Sequence, residues 1–175
     1  MQAVLDVGAD IINDIWALRQ TGAAELVAKH PNCGVCLMHM HKEPQTMQAE
    51  PMQGDADSVV SQVLFFLKRR WQYTQELGID SSRIVIDPGI GFGKTVEQNF
   101  ALLAKQSKLL ALGCPVLSGW SRKSALGAVT GLPMAERMPP SIVAAVLAVQ
   151  NGASIVRVHD VHETVSALKV LSAAQ

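Results

Sequence analysis

Five short apolar runs recur along the chain with longer amphipathic stretches between them, and this alternation constrains the fold more than any other feature. The runs are Asp10–Asn13, Val35–His39, Arg83–Asp87, Pro115–Ser118 and Ser154–His159. Each is four to six residues long and rich in Ile, Val and Leu, the pattern of a strand buried on both faces. The intervening stretches predict helices over Gly22–His30, Asp57–Gly78, Glu97–Leu112, Ser141–Gln150 and Val161–Ala173. In the second of these, Val59, Val60, Val63, Phe66 and Leu67 fall at helical spacing, with Asp57 or Ser58 suited to cap its start and Gly78 its end. In the third, Phe100, Leu103 and Leu110 are expected on one side.

Five βα units without a hairpin signal place the chain in the α/β class with a parallel sheet. Residues 1–175 are expected to form a single domain. Two architectures compete, a doubly wound open sheet and part of a (β/α)8 barrel. In both, function collects at the C-terminal ends of the strands.

Composition excludes several roles. Fifteen basic residues balance fifteen acidic ones, so the chain carries no electrostatic footprint for nucleic acid or an anionic membrane. No apolar run is long enough to span a bilayer. Met1 to Gly8 lacks a basic region followed by an apolar core, so a secretory leader is not expected. Three cysteines do not make a disulfide framework. Cys33 and Cys36 form a CxxC without zinc-finger partners, and Cys36 lies in an apolar run, so both are expected to be buried structural residues. The expected location is the cytoplasm.

Every strand ends in polar residues: Asn13-Asp14, Met38-His39-Met40-His41, Asp87 to Lys94, Ser118 to Ser124, and Arg157 to Asp160. Asp87 can accept two parallel bonds from a fork of N–H donors such as a 2-amino-pyrimidinone edge, or it can cap its own loop. The run Gly89 to Thr95 fails as a phosphate loop because Pro88 stands where the first glycine belongs. It reads instead as a mobile or tightly turned glycine loop. If the segment is extended, Ser121 and Lys123 share a face and Arg122 points away. Hydroxyls and N–H groups there can hold an anion, although a solvated basic turn remains open. Arg157 and His159 share a face at a strand end, a pair suited to phosphate. His39 and His41 have the spacing of a metal pair, with Asp87 and His159 as further ligands. His30 and His162 are expected to face solvent.

Taken in order, Gly8 to Asp14, Leu37 to Met40, Asp87 to Lys94, Ser121 to Ser124 and Arg157 to Asp160 resemble dihydropteroate synthase. The resemblance runs from about Gly8 to Leu171. It implies a (β/α)8 TIM barrel with a pterin slot in its mouth, here an incomplete barrel of five parallel strands with flanking helices. Asn13, Asp87 and Lys123 would bond the pterin and Met38 would pack against it. Arg157 and His159 would hold pyrophosphate. Ser121 and Phe92 would border 4-aminobenzoate, with Ser124 nearby. The implied substrates are dihydropterin pyrophosphate and 4-aminobenzoate, with Mg2+ accompanying the pyrophosphate, sulfonamides competing with aminobenzoate, and a homodimer as the assembly. The family's three N-terminal strands, which bring a metal-binding Asn, a mobile loop and an Asp on the pterin, have no counterpart here. The protein ligand for Mg2+ is therefore expected outside this chain. Other departures are His41-Lys42-Glu43 and Trp120. Three rivals stand beside this reading: a pterin-dependent methyltransferase, a metal hydrolase using His39 and His41, and a catalytically inactive fragment or binding module.

Overall fold

A computed structural model describes residues 1–175. The chain opens with a short helix α1 (Gln2–Asp6) and strand β1 (Ile11–Asp14), followed by α2 (Ala23–Ala28) and β2 (Gly34–Met38). The long α3 (Ala56–Glu76) leads to β3 (Ile84–Asp87), α4 (Val96–Ala104) and β4 (Val116–Ser118). Two helices, α5 (Ser124–Thr130) and α6 (Met138–Gln150), precede β5 (Ala153–Val156), and α7 (Val161–Ala173) ends the chain. All five expected strands form, in one sheet ordered β1-β2-β3-β4-β5 with every pair parallel. The order never reverses. A doubly wound sheet requires a reversal, whereas consecutive order is the topology of a barrel wall.

The two faces of the sheet differ. Val35, Leu37, Ile84, Ile86, Val116 and Ala153 join helix residues such as Val60, Val63, Leu67, Leu102 and Ala148 in one core cluster of 27 buried residues. The alternate strand residues face the other way. They are Ile11 and Asn13, Cys36 and Met38, Val85 and Asp87, and Leu117, and a register slip between Val116 and Leu117 sets Ile155 beside Leu117 although it lies two residues from Ala153. Here Cys36 pairs with Val85 and Met38 with Asp87. Ile11 is 57% and Ile155 37% exposed. In register on this second face, Asn13 stands level with Cys36 and Val85, and Met38 level with Asp87 one step nearer the strand ends.

Several local expectations are corrected. Asp55, not Asp57 or Ser58, caps α3, its carboxylate accepting the Ser58 N–H at 2.8 Å. Gly78 follows α3 in the left-handed conformation, as its position suggested. The helix expected over Glu97–Leu112 stops at Ala104 and continues as a tighter 3-10 segment, Gln106–Leu112. Buried Gln106 causes the break by turning inward to donate to the Ala148 carbonyl at 2.8 Å. Leu110 consequently leaves the apolar side and is 44% exposed. The helix α6 starts at Met138 rather than Ser141, because Pro139 and Pro140 fit a first turn that needs no N–H donors. The helices α1 and α5 have no counterpart in the sequence reading. His30 is half-buried, its Nδ1 at 2.8 Å from the Leu26 carbonyl, whereas His162 is exposed.

Candidate functional site

Asp87 ends β3 on this second face of the sheet and is 4% exposed. Its Oδ1 accepts the Gly89 N–H at 2.7 Å, so it does organise the following turn, and Oδ2 is left without a protein partner. Burial raises its carboxyl above the ordinary range, opposed by the Gly89 N–H and by Lys123, Lys94 and Arg157. Asp87 thus has one oxygen engaged by its own loop and one without a protein partner, and Lys123, Lys94 and Arg157 favour its charged form. Its neighbour across the ladder, Met38, is buried on the same face.

The glycine run after β3 is tightly turned and pinned at several points. Gly89 has φ +69°, and a Cβ there would sit 1.8 Å from the His39 carbonyl oxygen, so only glycine fits. Asn99 accepts the Gly91 N–H at 2.7 Å, and Gln48 donates to the Gly91 carbonyl at 2.6 Å. Lys94 is buried and its ammonium donates to the carbonyls of Gly89 at 2.8 Å, Phe92 at 3.1 Å and His39 at 3.5 Å. Its three donors thereby all find acceptors. Desolvation nonetheless lowers its pKa to about 7, with Asp87 opposing. Lys94 and Asn99 were not among the expected site residues. The signal was a lone lysine closing a glycine-rich run at a strand end.

Lys123 donates to the Ile90 carbonyl, and its Nζ lies 5.2 Å from the centre of the half-buried Phe92 ring. Burial lowers its pKa to about 8, again opposed by Asp87. The segment around it is a turn, not an extended strand. Arg122 adopts a left-handed φ of +58°, which overturns the simple alternation expected for Ser121, Arg122 and Lys123. Ser121 is buried, and its Oγ lies 2.8 Å from His159 Nδ1 and accepts the His159 N–H at 3.2 Å. The Arg157 N–H donates to the Ser118 carbonyl at 3.1 Å. Its guanidinium lies over Gly119, where a Cβ would come within 3.2 Å of it.

The structure therefore joins Met38 to Asp87, Phe92 to Lys123, and Ser121 to His159, with Arg157 beside Gly119. Asn13 stands exposed on the edge strand, paired in register with Cys36. Ser124 is exposed at the first residue of α5, and no hydrogen bond ties it to the others. None of the five cavities is lined by Asp87, Lys123 or Arg157. The site is an open face rather than an enclosed pocket.

The histidine pair does not form a metal site. His39 turns to the helix side, its ring edge-on to Phe66 at 4.9 Å, with Nδ1 buried and unpartnered. Burial drives its pKa to about 2. No group of three or more His, Cys, Asp or Glu residues is placed to hold a metal ion. The donor set thus does not fit a magnesium site built by this chain alone. Cys33 and Cys36 are buried, as expected, and Cys114 is buried as well.

Comparison with known proteins agrees with the geometry. Residues 1–159 match the family model described as "Pterin binding enzyme". Dihydropteroate synthase of Haemophilus influenzae is 43% identical over 173 residues, covering 99% of this chain and 62% of that protein. The enzyme of Neisseria meningitidis serogroup B is 47% identical over 170 residues, covering 95% and 59%. Among solved structures, dihydropteroate synthase from Stenotrophomonas maltophilia superposes with a TM-score of 0.93 at 46% identity, covering 98% of this chain and 64% of that one. The Xanthomonas albilineans enzyme in complex with 7,8-dihydropteroate gives 0.90 at 44%, covering 100% and 64%. The chain spans about three-fifths of the length of these relatives. Its five-stranded sheet is an incomplete (β/α)8 barrel.

Proposed function

The chain belongs to the pterin-binding enzyme family, and from that premise we propose that it carries the pterin- and pyrophosphate-holding part of a dihydropteroate synthase. The carrying observation is Asp87: a buried carboxylate at a strand end with one oxygen on a loop N–H and the other without a protein partner, its charged form favoured by Lys123, Lys94 and Arg157. That geometry suits the N–H fork of a pterin. In this reading Asn13 and Lys123 bond the ring, Met38 packs on it, and Phe92, Ser121 and Ser124 border 4-aminobenzoate. The aminobenzoate nitrogen attacks the pterin's exocyclic methylene carbon. A C–N bond forms, the C–O bond to pyrophosphate breaks, and the nitrogen loses a proton. Arg157 and His159 stabilise the charge gathering on the departing pyrophosphate, and the face aligns the two reactants. Magnesium would neutralise pyrophosphate charge, held by residues outside this chain. The Xanthomonas albilineans complexes with 7,8-dihydropteroate and 4-aminobenzoic acid support these substrates, as a Yersinia pestis sulfonamide complex supports competition by sulfonamides. The relatives' names favour this transferase over a pterin-dependent methyltransferase.

A cytoplasmic location belongs to the same reading, supported by three free cysteines; no helix is long and apolar enough to cross a membrane. So does a homodimer, and the apolar groove of Phe100, Leu126, Val129, Val143 and Leu147 on the helical side is the surface it would bury. Sedimentation giving the mass of one chain at micromolar concentration would count against it. The exposed Ile11 and Ile155 favour a second possibility, that this chain binds without turning over. Calorimetric titration with dihydropterin pyrophosphate and magnesium, followed by a turnover assay with 4-aminobenzoate, separates the two. Binding with turnover supports the full proposal, and binding alone supports a pterin-holding fragment. A folded chain that binds nothing refutes both.

A further inference from the structure

Arg122 stands between Ser121 and Lys123 and has no assigned role. Its φ of +58° is one that an L-residue with a long side chain rarely adopts, yet its backbone N–H, its carbonyl and two of its guanidinium nitrogens are all held. Its N–H donates to Ser141 Oγ at 2.8 Å, and its carbonyl accepts from Arg137 Nη1 at 3.3 Å. Its guanidinium grips Asp160 through two bonds, Nη2 to Oδ1 at 2.6 Å and Nε to Oδ2 at 3.2 Å. Asp160 completes the picture. It sits at the N-cap of α7, where an aspartate ordinarily bonds its own helix, but its side chain makes no cap bond and reaches across to Arg122 instead. The pair is bidentate and bridges 38 residues, joining the loop after β4 to the loop after β5. Within that bridge lies the Ser121–His159 pair, with Arg157 two residues before His159.

We propose that Arg122 and Asp160 form a strap of positioning residues that fixes the Ser121 hydroxyl, His159 and Arg157 into one anion-binding arrangement. The strap rests on the pyrophosphate reading of Arg157 and His159, and it makes a prediction of definite sign. Asp160 is a negative charge beside an anion site. By Coulomb's law alone, Asp160→Asn should tighten binding of inorganic pyrophosphate. If Asp160 acts by positioning, the same change should weaken it, about five- to tenfold. The charge swap Arg122→Asp with Asp160→Arg re-forms the pair, since aspartate tolerates a left-handed backbone, and should recover most of the loss. Calorimetry of the 175-residue protein and both variants with inorganic pyrophosphate, with melting temperature as the folding control, reads this directly. Tighter or unchanged binding in Asp160→Asn overturns the strap, as does a swap no better than the single variant. A second readout needs no ligand: the His159 amide, which donates to Ser121 Oγ, should exchange its proton several-fold faster in Asp160→Asn, and unchanged exchange overturns the proposal. If the wild-type chain binds no pyrophosphate, the anion reading fails and amide exchange alone decides whether the strap exists.

Discussion

Replacing Asp87 with asparagine removes one charge and converts one acceptor to a donor while keeping the shape. The consequence can be worked from the contacts. Oδ1 accepts the Gly89 N–H at 2.7 Å, and a backbone donor there cannot face an amide NH2. The asparagine oxygen must therefore stay on Gly89, which turns Nδ2 to the open face where Oδ2 stood. A pterin fork of two donors then meets a third donor. Losing one charge-assisted hydrogen bond costs about 1.5–3 kcal/mol, or roughly a 10- to 150-fold weaker dissociation constant. Calorimetry with dihydropterin pyrophosphate measures it. Inorganic pyrophosphate, bound on the other side of the site, should lose far less. An unchanged pterin dissociation constant, or an equal loss for both ligands, would refute the assignment. Acidity gives an independent check. Burial raises the Asp87 carboxyl above its usual 3.8, so wild-type affinity should start to fall at a higher pH than an ordinary carboxylate would produce. The asparagine variant should lack that dependence.

Three further outcomes follow from particular contacts. His39 stays neutral in the fold down to about pH 2, whereas in the unfolded chain it gains a proton near 6.5. The unfolded state therefore binds more protons between those values, and the contribution of His39 to stability is lost as pH falls below about 6.5. The stability difference between His39→Phe and wild type, from urea unfolding, should shift in favour of the variant on acidification, and a pH-independent difference would refute this. Gly89→Ala should destabilise by about 3 kcal/mol or more and abolish pterin binding, because its Cβ would collide with the His39 carbonyl at 1.8 Å; a melting temperature equal to wild type would contradict the turn. Asp55→Ala should cost α3 about 1 kcal/mol in chemical denaturation, and a larger loss from Asp57→Ala would reinstate the cap expected from sequence.

All five strands were legible because each is buried on at least one face, and runs such as Val35–Met38 carry that requirement in consecutive residues. The residues ending them were legible for the same reason, since a barrel wall places its chemistry there. What escaped was set by tertiary partners. The helix expected to end at Leu112 breaks at Ala104 because buried Gln106 reaches Ala148, 42 residues away. The helix α5 has Gly127 at its centre and β-branched Val129 and Thr130 at its end, residues of weak helix propensity that do not announce it. Asp55 and Asp57 are equally plausible caps until the entry angle of the chain is known.

Arg122 illustrates the same limit at the site. Alternation along an extended segment turns it away from Ser121 and Lys123, and nothing local predicts a left-handed arginine. Such a backbone persists only where the surroundings over-determine it. Here the determinants are Ser141, Arg137 and Asp160, which lie 15 to 38 residues further along the chain. Individual ligand-facing groups such as Asp87 are written into the sequence as residue types at strand ends. The contacts that fix their relative placement lie between loops, and only the folded chain brings those loops together. Substitutions at Asp87 or Arg157 should therefore each act on one part of the bound ligand. Substitutions at Arg122 or Asp160 should disturb Ser121, Arg157 and His159 together, and double-mutant cycles between Asp160 and Arg157 should be markedly non-additive.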